Sequence, residues 1–333
     1  MSDAKPTRDS ALDFTKGALV LLMILYHSLN HFLGPQGDYY RYLRFITPSF
    51  IFITGFLAGN IYLSNRQPGE SKFHARLAQR GVKLLVLFTL LNLAAITAFS
   101  RNFQDAVVQI RHFVESGWSV YVTGNYPPAQ FWVLVPIGYT LAFSSFLLVP
   151  CQRYWYFVHG VCVALLLAVG ASHLIESPSA TLELFTIGLL GVLVGRISAK
   201  KIQALVERTL PLLAIYLFYL VAITIWGACY PVQIAAVCAN LLLIYKLGRE
   251  AGDTRVLQRA VVLLGKYSLF GYIFHLAVVH VLSRMLLPSS GPMTRLAVAV
   301  ALTAMLTWLA TETLDRLRRQ WRGVDQLYKV ALA

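Results

Sequence analysis

Apolar residues in this chain come in blocks of about 20, the length that carries an α-helix through roughly 30 Å of hydrocarbon. No other feature limits the fold as much. Inside a bilayer every backbone N–H and C=O must be satisfied without water, so such blocks fold as helices. Ten are legible, at about residues 12–33, 43–64, 82–100, 130–149, 154–174, 181–196, 209–228, 230–247, 261–283 and 292–313. Only 13% of the 333 residues are charged, roughly half the share of a soluble domain. The expected fold class is therefore all-α: a polytopic membrane protein of ten transmembrane helices, one domain over 1–333, with tails at about 1–11 and 314–333. The chain is polar through Ser10 and its first block is long enough to stay as a span, so no cleaved signal is expected.

Lys and Arg set the orientation, because they gather on the cytoplasmic side of membrane proteins. With ten spans both termini share a side, and that side holds 23 of the 29 Lys and Arg residues. The other six are Arg41, Arg44, Arg101, Arg111, Arg284 and Arg295. Both termini are thus expected in the cytoplasm. The formal net charge of +14 sits in short loops, where orientation accounts for it, so no nucleic-acid partner is implied. The four cysteines show no CxxC or Cys/His spacing. They read as small packing residues, and no metal site is implied. Between Arg101 and Gln130, Phe103, Val107, Ile110 and Val114 recur at helical spacing, which predicts an amphipathic surface helix. The following "GWSVYVTGNYPP" reads either as an interface belt or as a mouth for a sugar-like acceptor.

Ionisable side chains inside spans are costly and mark function by default. "DFTKGALVLLMILYHSLNHF" carries Asp13, Lys16, His27 and His31. Lys16 and His27 are separated by about three turns plus 20°, which places them on one face, His27 about 16 Å deeper. Asp13 can pair with Lys16. A neutral imidazole near the midplane suits a general base that takes a proton from a hydroxyl. The plainer reading is a histidine satisfied by a neighbouring helix. His31, one turn on, reads as interface packing or acceptor binding. Glu183, at the outer start of the sixth block, can bind a sugar hydroxyl, pair with an arginine such as Arg44, or snorkel to the interface. Asn92 and Asn240 read as interhelical hydrogen bonders, and Glu312 as the partner of Arg316.

Several segments, in order, resemble the acyltransferase-3 family of membrane acyltransferases and the related periplasmic glucan succinyltransferases. "LDFTKGALVLLMILYHS" is similar to their first helix, in which a basic residue precedes a histidine by the spacing of Lys16 and His27; arginine is commoner there. "SFIFITGFLAG" is similar to the second helix, with Thr54 where serine is usual. "FHARLAQRGVKLL" is similar to the basic start of the third, where the family's RxxR stands as Arg80-x-x-Lys83, with Arg76 upstream. "QFWVLVPI", "GLLGVLVGR" and "LGKYSLFGYIFHLAV" extend the resemblance along the chain, the last with Ser268 and His275 in place.

The resemblance implies transfer of an acyl group from cytoplasmic acyl-CoA to a glycan or lipid-linked sugar outside a bacterial inner membrane, with acetyl the commoner group and succinyl the alternative. It implies His27 as base or transient acyl carrier. CoA is polyanionic, so Arg76, Arg80 and Lys83 can attract its phosphates, and Lys16 can hold the pantetheine or phosphate end. The plainer reading of these cations is positive-inside bias. His275 and Ser268 lie two turns apart on one face. His275 can position the acceptor or the acyl carbonyl, or simply bond a neighbouring helix. A proton-coupled exporter with a histidine relay is the rival reading, and an inactive scaffold the third. Against the exporter, no pair of broken helices stands at matching places in two halves.

Overall fold

A computed structural model describes residues 9–34, 40–64, 71–100, 102–124, 130–151, 155–197, 199–227, 229–251, 256–286 and 291–332. The helices, in chain order, are α1 (Ser10–Phe32), α2 (Tyr40–Leu43), α3 (Ile46–Ser64), α4 (Ser71–Phe99), α5 (Phe103–Glu115), α6 (Leu134–Cys151), α7 (Trp155–Leu174), α8 (Ala180–Val194), α9 (Ala199–Glu207), α10 (Thr209–Trp226), α11 (Tyr230–Glu250), α12 (Val256–Lys266), α13 (Ser268–Met285), α14 (Pro292–Gln320) and α15 (Arg322–Ala331). The described residues contain no strand. Among the described residues eight helices are long and apolar enough to cross a membrane, and the apolar stretches Leu134–Leu147 and Ala180–Val194 are shorter. The all-α polytopic fold is as expected. Most of the tail at 1–11, and Arg66, Arg101, Arg153 and Arg255, lie outside the described residues.

The chain forms two compact units, Phe50–Lys201 and the remainder, Met1–Ser49 with Ile202–Ala333. In the first, glycines let helix backbones touch. A Cβ at Gly55 would strike the Gly188 carbonyl, and one at Gly59, a turn on, the Val192 carbonyl, so α3 and α8 run side by side in the same direction. Gly81 and Gly138 pack α4 on α6 in the same way, but antiparallel. Asn92 ties the far end of that pair: its amide donates to the Gln130 carbonyl (2.8 Å) and its Oδ1 accepts from the Gln130 N–H (2.8 Å). The surface helix expected after Arg101 is α5. Phe113 is buried, while Phe103, Val107 and Val114 are exposed along its other face, ready to meet lipid. Much of "GWSVYVTGNYPP" forms one π-helical turn, Ser119–Thr123, closed by Gly124 at φ 71°; residues 125–129 lie outside the described set.

In the second unit α1 is the axis. Its start is capped by Asp9, which accepts from the N–H of Ala11 (2.9 Å) and Leu12 (3.2 Å). Gly17 and Gly265 press α1 onto α12, each glycine against the other helix's backbone. One expected element is corrected. The span read at about 261–283 is kinked at Tyr267, between α12 and α13, where φ is −113° and ψ 33°, although the Tyr267 N–H still donates to Leu263 (3.2 Å) and its carbonyl accepts from Gly271 (2.9 Å). A buried carboxylate far along the sequence anchors the kink: Asp315 of α14 accepts from the Lys266 ammonium (2.8 Å) and the Tyr267 hydroxyl (2.6 Å). Asn240 is also corrected. Its amide donates to Ala236 within α11 (2.9 Å) rather than to a neighbouring helix.

Beyond the last long helix, α15 is amphipathic. Val324, Leu327, Tyr328 and Val330 share one arc, and Arg322, Asp325 and Lys329 the other. Asp325 accepts from Arg318 of α14 (2.6 Å), whose guanidinium lies 3.9 Å from the Tyr328 ring centroid. Lys329, then Arg318, hold the Asp325 carboxyl below its ordinary value of 3.8. A group whose folded pKa is depressed contributes above its unfolded value and loses that contribution as pH falls through the folded one. Backbone amides of α15 are therefore expected to keep their exchange protection down to pH 3.8 and lose it below. Hydrogen exchange across that range checks this; unchanged protection in acid would remove the clasp.

Candidate active site

The two histidines read as catalytic meet. His27 of α1 and His275 of α13 have ring centroids 5.4 Å apart at 42°. Helix direction brings them together. Gly271 lies against Val20, and His31 against His280 (5.8 Å), so α1 and α13 run parallel in register. Tyr26 stands edge-on to His27 (5.3 Å) and Tyr272 to His275 (5.6 Å), so aromatic walls fix both rings.

The imidazoles differ in setting. His275 is fully buried, whereas His27 is partly exposed. His275 Nδ1 lies 3.0 Å from the Gly271 carbonyl. A carbonyl only accepts, so Nδ1 carries the proton and Nε2 presents its lone pair. That Nε2 is buried with no hydrogen-bond partner among the described residues. Leaving an acceptor dry costs about 1–3 kcal/mol, so the atom calls for a donor such as a hydroxyl.

The remaining candidates fall in two groups. In the unit of His27, Lys16 is bound to buried Asp13 at 2.6 Å and is only 17% exposed. Of its two expected roles, orientation of α1 through Asp13 has the direct contact. Ser268 opens α13, two turns before His275 and partly buried. His31 is exposed beside His280. In the other unit, Arg76, Arg80 and Lys83 line one face of α4, the two arginines exposed and the lysine partly so. Glu183 opens α8 and pairs with His173 at 2.7 Å. Glu312, back in the unit of His27, pairs with Arg316 as expected (2.9 Å). The unit of Arg76 also has a cavity of about 580 Å³ walled by Tyr121, Tyr139, Phe143, Phe146, Leu182 and Phe185. Its lining is aromatic and apolar.

Sequence reading passed over one part of the site. Thr303 and Thr307 of α14 are fully buried, and a Cβ placed on Gly271 would lie 3.7 Å from the Thr307 methyl. The signal was present as threonines four apart at 303, 307 and 311, followed by Asp315, a polar stripe in an apolar helix.

A family model described as an acyltransferase domain matches residues 9–312, which takes in both units and every candidate residue above. No curated protein and no solved structure matches the chain. The match spans the lysine–histidine helix, the basic start of α4 and the His275 helix together, and it decides between enzyme, exporter and scaffold: the chain is an integral-membrane acyltransferase of the acyltransferase-3 family.

Proposed function

We propose that the protein moves an acetyl or succinyl group from cytoplasmic acyl-CoA to a hydroxyl of an extracytoplasmic glycan or lipid-linked sugar, in a bacterial inner membrane. The observation that carries this reading is the His27–His275 pair, in which the buried His275 turns a lone pair to no donor among the described residues. An acceptor hydroxyl supplies that donor. As its oxygen attacks the acyl carbon, the proton passes to His275 Nε2. His27, the more accessible ring, is the one the thioester reaches. Burst kinetics without acceptor divides the two routes: CoA released in proportion to enzyme identifies acyl-His27, and no burst identifies direct transfer.

Both termini in the cytoplasm follow from the charge bias. Helix directions within each unit support that topology: α4 and α6 antiparallel, α3 and α8 parallel, α1 and α13 parallel. The exposed cations of α4 then face the donor. The aromatic cavity beside Tyr121 has the chemistry for the hydrocarbon tail of a lipid-linked sugar.

The test is free CoA measured from purified protein with acetyl-CoA or succinyl-CoA and an acceptor glycan. Transport of a solute with no consumption of acyl-CoA would overturn the reading. A second outcome concerns the donor. Arg76→Ala and Arg80→Ala are expected to weaken CoA binding several-fold each, most at low salt, where exposed charges are least screened. Titration calorimetry at two salt concentrations checks this; unchanged affinity returns these arginines to topology alone.

A further inference from the structure

Threonines in these helices have a habit that two within α14 break; a third buried threonine with no partner among the described residues, Thr181, sits in the first turn of α8, where no helical carbonyl stands four residues back. A buried threonine hydroxyl in a helix normally donates to the carbonyl four residues back. Thr15, Thr54, Thr89, Thr140, Thr186 and Thr311 all do so, at 2.8, 2.9, 2.9, 2.8, 2.8 and 2.7 Å. Thr303 and Thr307 do not. Both hydroxyls are fully buried and have no hydrogen-bond partner among the described residues. Their default acceptors, the carbonyls of Ala299 and Thr303, lie within the same regular helix.

The neighbours of these hydroxyls are those of the histidine pair. Lys266 and Tyr267, at the foot of α13, contact Asp315, while Gly271 faces Thr307. The two helices are thus antiparallel. Thr303, one turn before Thr307, comes level with His275, one turn after Gly271. Ser28, next to His27, is fully buried with its hydroxyl equally unpartnered. At Gly271 a methyl would just fit: a Cβ there would find Val20 at 3.4 Å and Thr307 at 3.7 Å, which is ordinary contact, whereas at Gly17 or Gly265 it would collide with backbone. Packing therefore does not require a glycine at 271. Hydroxyl donors on α1 and α14 and an imidazole acceptor on α13 thus lack a partner among the described residues.

We infer that Thr303 and Thr307 donate to the carbonyl oxygen of the acyl thioester. The inference rests on the acyl-transfer reading above. The acceptor oxygen adds to the acyl carbon, its proton goes to His275 Nε2, and the carbonyl π electrons move to oxygen. There the two hydroxyls hold the negative charge. The carbonyl then re-forms, the C–S bond breaks, and the CoA thiolate leaves with the proton from the imidazole. Charge that develops only in the transition state is where fixed donors in a dry site act most strongly.

The test uses the full-length protein in detergent. Thr307→Val and Thr303→Val keep the side-chain shape. Each is expected to lower kcat by about 10²-fold with KM for acyl-CoA little changed, as loss of one oxyanion donor does. Thr→Ser at either position is expected to restore most of the rate. The thermal midpoint gives a second readout that a structural hydrogen bond would move the other way: an unpaired buried hydroxyl replaced by methyl should leave Tm equal or higher. A double valine variant with undiminished kcat, or one whose Tm falls by several degrees, overturns the inference. Wild-type protein that releases no CoA overturns the acyl-transfer reading itself.

Discussion

His27→Ala is expected to abolish CoA release while the protein stays folded. The ring sits 5.4 Å from His275 and is fixed by Tyr26, yet it is partly exposed, so its removal opens space without stripping a core. Proton transfer by a positioned side chain is worth roughly 10²–10⁴-fold, and covalent participation adds to that. His275→Ala should fall as far, because a base and its partner act as a unit. The double variant should then lose little more than either single one. Stopped acyl-CoA turnover, with thermal unfolding as the control, measures all three. Undiminished turnover in His27→Ala would take that residue out of the mechanism. Multiplicative losses in the double variant would mean that the histidines serve separate steps.

The sequence carried half of this site. Eleven residues from Lys16 to His27 put both on one face of α1, because helix geometry is local and periodic. Nothing local says that His27 meets His275. That contact depends on the pairing of α1 with α13, which Val20 against Gly271 and His31 against His280 fix in register. The kink at Tyr267 was hidden for a similar reason. Apolar residues continue across it, and the carboxylate that anchors Lys266 and Tyr267 lies on α14. Asn240 shows the opposite limit: an amide in an apolar helix calls for a partner, but its own carbonyl four residues back answers as well as a neighbour does. The same habit made the threonines of α14 look ordinary, until two of them proved to have declined it.

The second large effect is structural and concerns the crossing that aims α1. Gly17→Ala and Gly265→Ala are each expected to unfold the protein at markedly lower temperature. At Gly17 a methyl would enter the Val261 carbonyl, and at Gly265 the Asp13 carbonyl. Neither obstacle is a flexible side chain, so the helices must separate. Overpacking of this kind costs about 1–3 kcal/mol and more where backbone cannot yield. Among membrane helices small residues are what permit such close approach, since lipid supplies no hydrophobic push between them. The crossing also lies beside the Asp13–Lys16 ion pair, 2.6 Å long, on the helix that carries His27. Pushing α12 away therefore tilts His27 as well. The expected signature is a fall in Tm together with a fall in kcat. Gly271→Ala serves as the contrast, because its methyl meets only Val20 and Thr307 at ordinary contact distance, and Tm should hold. If Gly17→Ala melts no earlier than Gly271→Ala, the glycine crossing does not bear on stability, and the aim of α1 must come from its Asp9 cap and its contacts with α13 and α14 instead.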